Sequence, residues 1–136
     1  VRLTLTVDGP EKGARIAAPV YLQDVMPTAL ELAGAKAPSH VQFRSLLPLL
    51  RGRRAEQYDA IYGAYMQLQR MVRVGDMKLI WYPQPCVFLL FDLAQDPHEL
   101  RNLADDPAHK ETLARLKRRL AELQKEMNDP IAPASI

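Results

Sequence analysis

From residue 60 onward the apolar positions change their spacing once, and that change divides the second half of the chain into strands followed by a helix. Short runs rich in Val, Ile, Leu, Tyr and Phe at 60–66, 69–74, 78–82 and 87–93 predict four strands, and Gly75-Asp76 predicts a tight hairpin turn between the second and third. Short links between successive strands favour an antiparallel meander. At 107–127 the period lengthens: Leu113, Leu116, Leu120, Leu123 and Met127 recur at spacings of three and four, behind Asp106 as the helix cap and Pro107 at its first position. Between sheet and helix, the fourth strand delivers Phe91 and Leu93 to one face. Asp96 is then placed to cap a short helical turn, with Pro97 first and Glu99 reaching back as a capping-box acid.

The first half carries a different pattern. Val1, Leu3, Leu5 and Val7 alternate with Arg2, Thr4 and Thr6, predicting a strand that Asp8-Gly9-Pro10 breaks and Glu11-Lys12-Gly13 turns. Leu22, Val25, Met26, Ala29, Leu30 and Ala33 follow at helical spacing, a stripe for core packing that ends at Gly34 as a natural cap. Residues 35–54 read as an irregular bridge with one short helix, capped by Ser45 and closed by Gly52. The expected organisation is two regions, 1–54 and 55–136, and the expected class is α+β: a small four-stranded antiparallel sheet packed by a long C-terminal helix. The leucine stripe admits a second use, as a short coiled-coil seam that dimerises the chain. Burial within one chain or between two separates these readings, and Lys117, Arg118 and Arg119 beside the stripe are expected to form a solvated face.

Composition narrows the functions available. With 136 residues, one core or a core and a satellite is expected, and a net charge of +2 is too small to argue for nucleic acid. Arg51, Arg53 and Arg54 read as a solvated loop. No apolar run is long enough to span a bilayer and no signal-peptide pattern opens the chain, so a soluble protein is expected and its compartment stays open. Cys86 is the only cysteine, which excludes an internal disulfide; it is expected to pack as a small buried apolar group. His40, His98 and His109 lack a recurring ligand spacing and are expected at the surface, and of Asp105-Asp106 the second serves as a cap. The chain begins with Val, consistent with excision from a longer protein.

Four segments then point to a family. Phe-Asp-Leu-Ala-Gln-Asp-Pro-His-Glu-Leu-Arg-Asn-Leu-Ala at 91–104 resembles the "[LY]-D-L-x-x-D-P-x-E-x-x-N-L-A" signature near the C-terminus of the sulfatases. Residues 24–34 are similar to the family's "D-x-x-P-T-x-x-x-x-A-G" helix, 45–52 to its "G-x-S-L-x-P-L-L-x-G", and 70–80 to "R-A-V-R-x-G-x-x-K-L-I", all in family order. Two positions depart: Phe43 stands where the family usually has Gly, which puts a local turn of positive φ in doubt, and Thr4 stands where Pro is expected.

The resemblance implies that 1–54 holds a strand and helix left from the α/β catalytic domain of a sulfatase, and that 55–136 is the family's C-terminal subdomain. It further implies, for a full-length enzyme, sulfuric ester hydrolysis by a formylglycine with calcium. The formylglycine arises in a C-x-[PA]-x-R motif that is absent around Cys86, where the matching positions are Phe88 and Leu90. By the same alignment Arg2 matches the Arg of a Gly-Gly-x-Arg turn, and the nucleophile, the acids holding the cation and the catalytic Lys and His would lie before Val1. This chain alone is therefore expected to hold no cofactor and to be inactive. Its expected partners are the missing catalytic domain or another copy of the chain, so a homo-oligomer is possible on this reading. If any residue touches substrate, the resemblance points to the hairpin between the first two strands of the sheet, with Tyr65, Gln67 and Arg70 as candidates and Arg70 offering a planar fork for an anionic group; the stronger expectation for Arg70, which starts a strand, is a pair with a neighbouring carboxylate. The alternatives are a phosphonate or phosphodiester hydrolase of the alkaline phosphatase superfamily, or a stand-alone oligomerisation or binding module.

Overall fold

The strands form where alternation and β-branched or aromatic residues coincide: β1 (Ile61–Tyr65), β2 (Gln69–Val74), β3 (Met77–Tyr82) and β4 (Val87–Asp92). They pair antiparallel in the order β1-β2-β3-β4. Val74 pairs with Met77, which leaves Gly75 and Asp76 as a two-residue turn, and Gly75 takes a φ of 58° there that a side chain would resist. This computed structural model describes residues 16–53 and 55–131, so the strand expected at 1–7, the turn after it and Arg54 of the basic loop lie outside the described residues.

Two compact units divide the chain, Val1–Asp59 and Ala60–Ile136. In the second, the helix α3 (Lys110–Glu126) packs on the sheet face that carries Val72, Leu79, Trp81 and Leu90. Leu116 and Leu120 are fully buried and Leu123 nearly so, in one cluster with those strand residues and Leu103. The leucine stripe is thus buried within the chain, the arrangement expected of an α+β subdomain and not of an intermolecular seam. Asp106 caps the turn before α3 by accepting from the Ala108 amide. At the other end Asn128 takes the left-handed conformation (φ 51°) while the Asp129 amide donates back to the Gln124 carbonyl, closing the helix and turning the chain toward the sheet. The basic run beside the stripe divides its work: Lys117 Nζ sits 3.9 Å over the Phe88 ring, and Arg119 pairs with Glu122 and Glu126.

The segment 91–104 differs from the expected helical turn. It is a chain of side-chain caps on an irregular loop: Asp92 accepts from the Ala94 amide, Asp96 from the Arg101 amide, and Asn102 from the Leu90 and Ala104 amides. Glu99 takes a left-handed conformation (φ 57°), incompatible with a first helical turn, and its carboxylate meets Lys78 Nζ at 2.7 and 2.8 Å instead of reaching back. Two family signatures are joined by this ion pair, since Lys78 belongs to the 70–80 segment. Cys86 likewise departs from expectation: it is exposed, with a φ of 54°, in the turn between β3 and β4.

In the first unit, a single 3-10 turn (Leu22–Asp24) leads into α1 (Val25–Leu32), and α2 (Leu47–Leu50) is the short helix, with Ser45 Oγ accepting from the Leu47 amide. Gly34 and Gly52 close the two helices with φ of 72° and 66°. The buried face of α1 is not the apolar stripe. Asp24, Pro27 and Thr28 are buried, whereas Leu22, Met26 and Leu32 are exposed. The buried Asp24 explains why: its carboxylate accepts from the Tyr21 amide, the Arg44 amide and the Tyr58 hydroxyl, and Thr28 Oγ1 bridges the Asp24 carbonyl and the Leu46 amide. The Asp and Thr of the 24–34 signature are therefore a hydrogen-bonded pin for residues 44–46. Gln57 completes it by donating to the Arg44 and Ser45 carbonyls. Phe43 does not take positive φ; its ring packs edge-on against Tyr21 at 5.6 Å.

Candidate functional site

The β1–β2 hairpin carries the three candidate residues, and the structure places them differently. Tyr65 ends β1 and is 61% exposed, Gln67 is exposed in the turn, and Arg70 near the start of β2 is 2% exposed. Tyr65 pairs with Gln69 across the hairpin, and the Leu68 amide donates to the Tyr65 carbonyl at 3.1 Å to close the turn. Met66 holds a φ of 47° in that turn, an uncommon conformation for a side chain of its size. Tyr65 also borders an open hollow shared with Gly63, Gln69, Met71 and Lys78, over whose floor the Met71 side chain lies so close that a Cβ on Gly63 would meet its tip at 3.0 Å.

Arg70 alternates to the helix-facing side of the sheet and turns its guanidinium inward. Nε and Nη2 donate to the two carboxylate oxygens of Asp129, the second at 2.8 Å, while Nη1 donates to the Met66 carbonyl at 2.7 Å and the Gln69 carbonyl at 2.8 Å. The Tyr62 hydroxyl donates to the same carboxylate, and Asp129 accepts from the Ile131 amide as well. Burial alone would raise the pKa of Asp129, but the hydrogen bonds from Arg70, Tyr62 and Ile131 outweigh it and hold the carboxyl down at about 2. Burial, and then the Asp129 hydrogen bond, push Tyr62 above the ordinary tyrosine range; burial and the Asp24 hydrogen bond do the same to Tyr58. In this arrangement Arg70 does not offer its fork to an incoming anion, because four of its N–H donors are already engaged.

Asp129 and Tyr62 went unmarked in the sequence. The Asn-Asp-Pro at 128–130 does signal a helix end, but nothing local ties position 129 to position 70. No group of three His, Cys, Asp or Glu side chains converges among the described residues, so these residues do not fit a calcium site. Among the described residues no helix is long and apolar enough to cross a membrane.

The sequence pattern described as N-sulphoglucosamine sulphohydrolase, C-terminal, matches residues 1–126. An arylsulfatase of Clostridium perfringens is 31% identical over 100 residues, covering 71% of this chain and 21% of that protein. Among solved structures, a 2-O GAG sulfatase superposes with a TM-score of 0.69 at 30% identity, over 78% of this chain and 25% of that one. A phosphonate monoester hydrolase from Silicibacter pomeroyi superposes with a TM-score of 0.65 at 25% identity, over 76% of this chain and 24% of that one. The chain thus spans about a fifth to a quarter of the length of each of these three proteins.

Proposed function

Because the chain belongs to the family of N-sulphoglucosamine sulphohydrolase C-terminal domains, among the sulfatases of the alkaline phosphatase superfamily, we propose that it is the C-terminal portion of a longer hydrolase that cleaves sulfuric esters. The observation that carries this reading is the 2-O GAG sulfatase fold shared over most of this chain and a quarter of the larger one. The remaining three quarters of such an enzyme supply the chemistry, including the formylglycine and calcium the family resemblance implies. The residues here contain neither a C-x-[PA]-x-R motif nor a fitting cation site among those described, so the chain alone is inactive in this reading.

What this chain contributes is a scaffold and one edge of the substrate mouth. Tyr65 and Gln67 stand exposed on the hairpin, offering a hydroxyl and an amide to a polar substrate, and Arg70 serves that edge from behind by holding the turn. Residues 1–54 belong, on this view, with the catalytic domain. The exposed apolar residues Leu22, Met26 and Leu32 are then covered by the rest of the polypeptide, the partner that its length relative to the 2-O GAG sulfatase supports.

A phosphonate monoester hydrolase is the second reading, favoured by the comparable superposition on the Silicibacter enzyme. The test is kcat/KM of the full-length gene product on an aryl sulfate and on a phosphonate monoester. Sulfate preferred by about tenfold or more supports the first reading, and the reverse preference selects the second. A native product no longer than this chain, inert to both, would leave a binding module instead.

A further inference from the structure

We infer that Asp129 is a positioning residue: through Arg70 it latches the segment beyond α3 onto the turn of the β1–β2 hairpin and fixes the shape of residues 65–69. The geometry is a relay through one planar group. The carboxylate of Asp129 accepts from Nε and Nη2 of Arg70, and on the opposite corner of the same guanidinium Nη1 donates to the Met66 and Gln69 carbonyls, which bracket the turn. Arg70 and Asp129 are 2% and 3% exposed, so the pair is shielded from water and its orientation is set by the protein. Tyr62 on β1 occupies the same carboxylate, so both strands of the hairpin and the C-terminal segment meet at one side chain.

The turn needs such a hold. Within the turn, beyond the Tyr65–Gln69 strand pair, the backbone is closed by the bond from the Leu68 amide to the Tyr65 carbonyl, Met66 sits at positive φ, and Tyr65, Met66 and Leu68 are all exposed, so little packing restrains the tip. Asp129 is itself held rigidly: its amide closes α3 on the Gln124 carbonyl, its carboxylate accepts from the Ile131 amide, and Ile131 packs against the core. A fixed point in the core is thereby transmitted to an exposed tip about which the sheet alone says little.

The test is amide hydrogen exchange on the full chain carrying Asp129→Asn, Asp129→Glu, or the double change Arg70→Met with Asp129→Leu. The double change removes both buried charges together, so the fold survives even where Asp129→Asn alone, leaving an unpaired arginine, does not. In the double variant the Leu68 amide is expected to exchange about tenfold faster while Leu79 in β3 and Leu120 in α3 keep their protection, and Asp129→Glu is expected to restore part of the Leu68 protection. Unchanged exchange at Leu68, or an equal acceleration at all three amides, overturns the latch. The relevance to substrate rests on the sulfatase reading and is separable from it. In the full-length enzyme the double variant is expected to raise KM about fivefold or more with kcat little changed. A loosened turn with unaltered KM would leave the latch in place and remove the hairpin from the substrate mouth.

Discussion

At Asp129 one carboxylate answers two donors of Arg70, the Tyr62 hydroxyl and an amide, and its ionisation ties the stability of this corner to pH. Its pKa falls from an ordinary 3.8 to about 2 in the folded chain, so its contribution is complete above about pH 4 and is lost as pH falls through 2. That contribution is ~2 kcal/mol. Tyr62 works at the other limit: held above its ordinary value of 10, it favours the fold below pH 10 and withdraws that support as alkali ionises the unfolded chain first. Urea titrations of the wild type between pH 2 and 5 are expected to show this acid slope, and Asp129→Asn to lose most of it; an identical slope in the variant would place the acid sensitivity elsewhere. Single residues were also where sequence reasoning fared least evenly. Asp106 was legible as a cap because its partner lies two positions away. Glu99 and Cys86 were not, because their conformations answer to a residue 21 positions distant or to a turn whose backbone the sequence leaves open, and for Arg70 a carboxylate pair was legible but the identity of its partner, 59 positions away, was not.

The elements of the second unit were legible almost to the residue, since strands in a meander and the helix that covers them each present one apolar face with its own period. The stripe of α3 makes a graded prediction. Leu120→Ala, at a fully buried position between α3 and the sheet, is expected to cost about 3 kcal/mol and lower the melting temperature markedly. Leu100→Ala, at a position 85% exposed, is expected to leave it within about 0.5 kcal/mol. Calorimetry on both checks the pair, and equal effects would refute the packing described. The helix α1 misled for a physical reason: its periodic apolar residues are real, but hydrogen bonding by Asp24 and Thr28 decides which side faces inward. Periodicity reports that a face wants cover and is silent about whether polar groups claim the inner position first.

At the scale of the whole molecule, four signatures in order carried the family, and the structure gives them mechanical meanings: a pin at 24–28, a cap at 45, a hairpin and ion pair at 70–78, and a loop of caps at 92–104. None of these is chemistry, which is why fold was readable here and substrate was not. Exposed Leu22, Met26 and Leu32 extend the argument to behaviour in solution. Expressed by itself, the chain is expected to self-associate, and Met26→Lys with Leu32→Lys to reduce that association. Light scattering at rising concentration checks it, with a clean monomer throughout counting against an unsatisfied surface.

The latch has a consequence for the order in which the protein is made. Arg70 leaves the ribosome 59 residues ahead of its partner, a delay of roughly 3–12 s at ordinary rates of synthesis. The strands of the hairpin can pair during that interval, but their guanidinium has no counter-charge until Asp129 emerges. A premature stop just after the long helix would therefore yield a chain with every strand and helix described here and an arginine still waiting for its carboxylate.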